Sequence, residues 1–252
     1  MKNVVAVVLA AGQSTRMNSA TSKLLHRIGG KYLIDKPVEA CEQAGVSRII
    51  LVVGHQGEDI TNLFKDRCEY VHQYARRGTG DALKQALAIL QGFNHDLLVL
   101  PGDAPFLGER VLRQLVAYHR QQDAVATVLT ARIRNPASYG RIVRGSRGQI
   151  SRIVEFKNAT PHEKAIREVN SGVYCFAMET LRCALHLLRP NDVTGEEYLT
   201  DVVGLFTAKG HSVAGLLTDD SRVVLGINTP EELAYAQSLL VPPTTPTKKD
   251  AH

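Results

Sequence analysis

The chain has 252 residues, with 30 Lys and Arg against 25 Asp and Glu, a formal charge of +5. Apolar residues are 44% and charged residues 22%, which excludes a chain disordered throughout and allows one large α/β domain or two small ones. No apolar run approaches the roughly 18 residues of a membrane span, and a charge of +5 over this length is too mild to argue for nucleic acid.

Val4 to Leu9 is a continuous, mostly β-branched run, the pattern of a strand buried on both faces. It leads into Gly12-Gln13-Ser14, a working loop rather than the cleavage region of a signal peptide. Residues 48–53 and 96–100 repeat the strand pattern. Leu83, Ala86, Leu87 and Leu90 follow Thr79, an N-cap candidate, at helical spacing. Leu112, Leu115 and Val116 repeat similarly. This alternation predicts a Rossmann-like three-layer α/β/α fold with a mainly parallel central sheet.

The second half changes texture. Strand patterns at 140–144, 150–156 and 169–177 are separated by Asn, Pro, Gly and Arg, and are expected to extend and cover the open sheet edge. Helices are predicted near 178–188 and 197–208, and strands near 211–217 and 222–226. Thr229-Pro230-Glu231-Glu232 predicts a capping box opening a last helix to about Leu240. The domain is therefore expected over 1–240, and the Pro- and Thr-rich 241–252 is expected to be a mobile tail.

Cys41, Cys68, Cys175 and Cys183 have no CxxC pairing and no His at zinc spacing. They read as reduced, structural cysteines of a cytoplasmic protein.

The loop Leu9-Ala10-Ala11-Gly12-Gln13-Ser14-Thr15-Arg16-Met17 combines small residues with a guanidinium. Successive N–H groups in such a turn cradle anions, Arg16 adds a planar fork for phosphate, and Lys23 adds a mobile charge. GxxxxGK[ST] and GxGxxG are both absent. An ordinary strand-to-helix turn with surface cations is the plainer alternative.

This loop resembles the LxAGxGTRM signature of sugar-phosphate nucleotidyltransferases, with Ser14 where many members have Gly. On its own the motif leaves base and acceptor open. Later segments are similar to one branch, the N-acetylglucosamine-1-phosphate uridyltransferases. Ser22-Lys23-Leu24-Leu25-His26 resembles PKVLH, and Gln73 with Gly78-Thr79-Gly80-Asp81-Ala82 resembles QxxxxGTGHA. Gly102-Asp103-Ala104-Pro105 resembles GDxPL, Tyr139-Gly140-Arg141-Ile142 resembles GYGRI, and Ile153 to Lys157 resembles the start of IVEHKDA. Asn170 to Tyr174 resembles NTGIY, Gly195 to Asp201 resembles GEYYLTD, and Leu225 to Asn228 resembles LGVN.

The resemblance covers residues 3–240 and implies an enzyme joining UTP to a sugar 1-phosphate with Mg²⁺. It implies that Leu9, Ala10, Ala11, Gly12, Gln73, Gly78 and Thr79 hold the nucleotide, and that Arg16 and Lys23 are catalytic. Asp103 and Asn228 would hold the metal. Gly140, Glu155, Asn170, Tyr198 and Thr200 would meet the amino sugar. Taken singly, each of these residues also reads as a turn, cap or packing residue. Another nucleotide or sugar, or a nucleotide-sugar sensor without catalysis, stays open, and the Asp-x-Asp triplet usual in glycosyltransferases is absent. Many members of the branch continue into a β-helix of hexapeptide repeats that acetylates. No such repeat is present in this sequence, so acetylation is not expected. The arginines at 132, 134, 141, 144, 147 and 152 read as a solvated surface, with attraction of an anionic acceptor as the sharper option.

Overall fold

The computed structural model describes residues 1–240 except Gln13, Ala20, His55 and Gln56; 241–252, expected to be a mobile tail, lie outside the described residues. The strands are β1 (Val4–Ala10), β2 (Arg27–Ile28), β3 (Lys31–Tyr32), β4 (Arg48–Val53), β5 (Glu69–His72), β6 (Asp96–Pro101), β7 (Ala126–Arg132), β8 (Arg141–Arg144), β9 (Ile150–Val154), β10 (Glu168–Ala177) and β11 (Val213–Leu217). The α-helices are α1 (Asp35–Ala44), α2 (Gly57–Phe64), α3 (Thr79–Ala86), α4 (Glu109–Gln121), α5 (Pro161–Lys164), α6 (Met178–Leu185), α7 (Asp201–Ala208) and α8 (Pro230–Ser238). Among the described residues no helix is long and apolar enough to cross a membrane.

The main sheet has the order β11-β7-β10-β6-β1-β4-β5, with β8 and β9 branching from β10. β5, β4, β1 and β6 pair in parallel. β10 runs antiparallel to both β6 and β7, and β11 is parallel to β7. The sheet is thus mainly parallel, as expected. Successive residues of β1 alternate between two cores. Val4, Ala6 and Val8 pack with Val38, Ile60 and Leu112 on one face, and Val5 and Val7 with Leu83, Leu181 and Phe206 on the other. Side chains on a strand point to opposite faces, so a strand covered by helices on both sides needs the unbroken apolar run seen at 4–9.

Several local expectations change. The 169–177 strand fills the middle of the sheet rather than covering its edge, because β6 and β7 both use its backbone groups. Residues 221–224 form a 3-10 turn instead of a strand, since the Asp220 carboxylate accepts from Arg222 N at 3.0 Å. The helix expected from 197 begins at Asp201, and those expected to reach 188 and 90 end at Leu185 and Ala86. Strands β5 and β7 and helices α1 and α2 are additional. The capping box of α8 forms in full, with Thr229 and Glu232 each bonding the other's backbone N–H.

The arginine stretch is not a uniform solvated surface. Arg141 is only 2% exposed and donates to the carbonyls of Tyr139 and Ala137. Arg144 forks onto Glu168 at 2.6 and 2.8 Å, and Arg152 pairs with Glu163 at 2.5 Å. Three of the six therefore stitch β8 and β9 to their surroundings: backbone oxygens offset the burial of Arg141, while Arg144 and Arg152 reach their carboxylates from exposed positions. Arg132, Arg134 and Arg147 are exposed.

Candidate functional site

The loop after β1 does not enter an α-helix. It passes through two 3-10 turns, Thr15–Met17 and Lys23–Leu25. Ser14 Oγ accepts from Lys23 N at 2.5 Å. The Ser that departs from the usual Gly therefore holds the two ends of the loop together and fixes where Lys23 starts. Arg16 stands exposed on the first turn.

A cleft of about 440 Å³ opens at the carboxyl ends of β1 and β6, where ligands bind in open α/β sheets. Leu9, Ala11, Gly12, Lys23, Gln73, Gly78, Thr79, Asp103, Glu155, Asn170 and Thr200 of the predicted set line it. Ala10 is instead buried in the core at 5% exposure. Tyr198 gives its hydroxyl to Thr194 Oγ1 at 2.8 Å and is not among the lining residues. Arg76, Pro101, Gly172, Tyr174, Glu196 and Leu199 line the cleft without having been predicted. A signal existed for Gly172, Tyr174, Glu196 and Leu199, which lie inside matched motifs.

At the phosphate end, Lys23 Nζ donates to Asp103 Oδ2 and, at 2.7 Å, to Asn228 Oδ1. The three residues come from distant elements. Asp103 follows β6 through Gly102, where a Cβ would sit 3.0 Å from the Leu9 carbonyl oxygen. Asn228 is set by Glu232, whose carboxylate accepts from Asn228 N at 2.6 Å. Ile227 N also donates to the Asp103 carbonyl at 3.1 Å, so the two oxygen-bearing residues are one hydrogen bond apart.

A carboxylate oxygen and an amide oxygen converging on one cation are hard donors suited to Mg²⁺, which completes its shell with substrate oxygens and water. Among the described residues no three His, Cys, Asp or Glu cluster around a metal-sized point. The arrangement fits a metal shared with a ligand and not a closed protein site.

At the opposite end, Glu155, Gly140, Asn170 and Thr200 form a second cluster. Thr200 Oγ1 donates to Glu155 Oε1 at 2.9 Å. A Cβ on Gly140 would lie 3.6 Å from both Glu155 Oε2 and Asn170 Cβ, so glycine keeps this corner open. A bulge in β10 between Asn170 and Tyr174 interrupts pairing with β7 and turns these side chains to one point. Asn170 Nδ2 donates to Tyr174 Oη at 2.7 Å, and Asn170 Oδ1 accepts from Gly172 N at 3.1 Å. Burial pushes the Tyr174 phenol well above its ordinary range, so it stays a neutral hydroxyl. Burial also raises the Glu155 carboxyl above its ordinary 4.5, opposed by the Thr200 hydrogen bond and reinforced by Asp201 and Glu196.

Between the two ends, the loop before α3 is locked onto residues 197–199. Gly80 N donates to the Glu197 carbonyl at 2.8 Å, and Glu197 N to the Arg77 carbonyl at 2.6 Å. Thr79, the expected helix cap, is instead the first helical residue, and its Oγ1 accepts from Leu199 N at 3.0 Å. Lys84 Nζ adds an ion pair to Glu197 at 2.5 Å. The strip that carries Thr200 is thus fastened to the loop that carries Gly78.

Residues 6–170 match the family described as the MobA-like NTP transferase domain. The bifunctional protein GlmU of Pelobacter propionicus is 41% identical over 242 residues, which is 95% of this chain and 53% of that protein. The bifunctional protein GlmU of Pediococcus pentosaceus is 41% identical over 234 residues, 93% of this chain and 50% of that protein. The chain spans about half the length of the curated relatives it matches. A solved UDP-glucose pyrophosphorylase complexed with UDP-glucose has a TM-score of 0.75 at 18% identity, over 93% of this chain and 97% of the other. At that identity the likeness speaks for the fold.

Proposed function

The chain belongs to the MobA-like NTP transferase family, and on that premise we propose that it transfers UMP from UTP to N-acetylglucosamine 1-phosphate, releasing pyrophosphate. The observation that carries this reading is one continuous cleft. It joins the Lys23–Asp103–Asn228 cluster, the Gln73–Gly78 edge and the Glu155–Asn170–Thr200 corner. These suit a triphosphate, a pyrimidine and a sugar in that order. The motif resemblance to the uridyltransferase branch supports the choice of base and sugar.

One oxygen of the sugar phosphate attacks the α-phosphorus of UTP. A new P–O bond forms, the α–β bridging P–O bond breaks, and pyrophosphate leaves with the electron pair. The nucleophile is already an anion, so no side-chain base is needed, and the protein's work is alignment and neutralisation. Arg16 and Lys23 offset negative charge on the triphosphate and on the departing pyrophosphate. Asp103 and Asn228 would hold Mg²⁺, which supplies Lewis-acid charge stabilisation when bound. Glu155 accepts from sugar hydroxyls while Thr200 keeps its carboxylate aimed, and Asn170 and the Gly140 backbone border the same corner.

Pyrophosphate release with UTP and N-acetylglucosamine 1-phosphate, measured with and without Mg²⁺ and against a panel of other nucleotides and sugar phosphates, tests the proposal. Turnover with this pair that vanishes on chelation is expected. Silence with this pair beside activity with another sinks it.

The raised Glu155 carboxyl makes a separate prediction. The folded protein favours its protonated form, so its contribution to stability is complete below about pH 4.5 and is lost as pH rises through the raised folded value. Glu155→Gln removes that loss. The melting temperature of the variant relative to the parent should therefore climb with pH above 5. Its KM for the sugar phosphate should rise about tenfold, as for a lost charge-assisted hydrogen bond. A pH-independent difference in melting temperature would contradict the burial argument.

A further inference from the structure

The ninth residue of the QxxxxGTGHA-like stretch departs from the family pattern, with Asp81 where that pattern has His. Asp81 lies in the first turn of α3 and is 8% exposed. Its carboxylate accepts from Gln73 Nε2 at 2.7 Å and from Gln85 Nε2 at 3.3 Å. Helix N-terminal N–H groups favour an anion in this turn. Gln73, itself only 7% exposed, gives its second amide hydrogen to the Gly78 carbonyl at 3.0 Å.

A Gln amide has two donors on nitrogen and one acceptor oxygen. Both donors of Gln73 are used inside the protein. The oxygen is what remains for the cleft, which Gln73 and Gly78 both line. The opposite orientation of the amide would press its oxygen against a carboxylate oxygen and a carbonyl oxygen. Three acceptors would then meet in a buried place with no proton among them, a costly arrangement. The network therefore assigns the amide orientation. The Gly78 N–H has no acceptor among the described residues.

We propose that Asp81 is a positioning residue for base selection: it holds Gln73 as a pure acceptor that matches the N3–H of uracil and opposes the N3 lone pair of cytosine. The Gly78 N–H supplies the neighbouring donor, which suits the C4 carbonyl of uracil and clashes with the C4 amino group of cytosine. This inference rests on the uridyl reading above and adds to it the group that enforces the choice.

The test is the ratio of kcat/KM for UTP over CTP with one sugar phosphate, together with equilibrium binding of both nucleotides. The parent should favour UTP by on the order of 100-fold or more, since a site built for a particular hydrogen bond rejects the analogue lacking it. Asp81→Asn can turn its own amide to donate, which frees Gln73 to rotate. The ratio should then fall at least tenfold, mainly through a gain with CTP. Gln73→Met should lower the ratio to a similar level, and the double variant should fall no further.

Losses with UTP and CTP in equal proportion would show that Asp81 is merely structural and would overturn the proposal. A parent that takes CTP as well as UTP overturns this orientation together with the uridyl reading. A UTP-selective parent whose selectivity survives Asp81→Asn overturns the role of Asp81 alone. Should Asp81→Asn fail to fold, the parent protein answers by nuclear magnetic resonance. The Gln73 side-chain amide protons, assigned by their loss in Gln73→Met, should stay slow to exchange when UTP is added. Their shift to a ligand-bonded environment on UTP binding would overturn the proposal equally.

Discussion

Lys23→Ala is expected to lower turnover at saturating substrates by on the order of 100-fold, and at the same time to tighten Mn²⁺ binding by the nucleotide-free protein. Both effects come from one contact. The Lys23 ammonium sits on Asp103 Oδ2 and Asn228 Oδ1, the two oxygens proposed to hold a divalent cation. Without nucleotide the lysine and the metal compete for the same pair, and removing the lysine ends that competition. During the reaction the same charge is needed on phosphate oxygens, and its loss is not made good by solvent in a cleft where the Lys23 side chain is 11% exposed. Asp103→Ala should also lower turnover at least tenfold, but it should weaken Mn²⁺ binding. Initial rates of pyrophosphate release and a Mn²⁺ titration followed by electron paramagnetic resonance give both readings. A folded Lys23→Ala protein with near-normal turnover removes Lys23 from the chemistry. Unchanged Mn²⁺ affinity in that variant breaks the competition argument.

Gly78→Ala should be the most damaging substitution of a single hydrogen by a methyl group. Gly78 has φ of 101°, a region that L side chains rarely adopt. A Cβ there would lie 2.5 Å from the Glu197 carbonyl oxygen and 2.9 Å from Glu197 N. Both opposing atoms are backbone, and both are held by hydrogen bonds to Arg77 and Gly80, so neither can swing aside. Backbone strain plus this clash should cost on the order of 2–4 kcal/mol of stability. UTP affinity should fall with it, because the Gly78 carbonyl and the Gln73 amide are bonded to each other in the same loop. Denaturant melts and UTP titration measure the two effects. By contrast, Gly12→Ala meets no atom within 4 Å and should leave stability unchanged within about 0.5 kcal/mol. Equal tolerance at both glycines would refute the close-approach argument.

Much of the architecture was legible because it rests on short-range rules. The runs at 4–9, 48–53 and 96–100 became β1, β4 and β6, since two-sided burial demands unbroken apolar sequence. The last helix begins where Thr229 and Glu232 bond each other across three residues. Where the reading failed, a distant partner decided. Residues 222–226, with Val223, Val224 and Leu225, looked like a strand, and even the nearby Asp220 cap was enough to make a 3-10 turn of 221–224. Thr79 has the character of a helix cap, yet Leu199 takes its hydroxyl. Arg141 looked like surface charge and is buried among backbone carbonyls.

The sequence by itself determined the strands β1, β4 and β6, the two-faced core and the residue types available for phosphate, base and sugar. Those follow from periodicity and from motifs within a few residues of one another. Only the tertiary structure decided that Lys23 lies between Asp103 and Asn228, partners separated from it by 80 and 205 positions. It also decided which face of the Gln73 amide looks into the cleft, and that Tyr198 is tied to Thr194. The reason is that a side chain's chemistry is fixed by its type, while the groups that consume its donors and acceptors arrive from elsewhere in the fold.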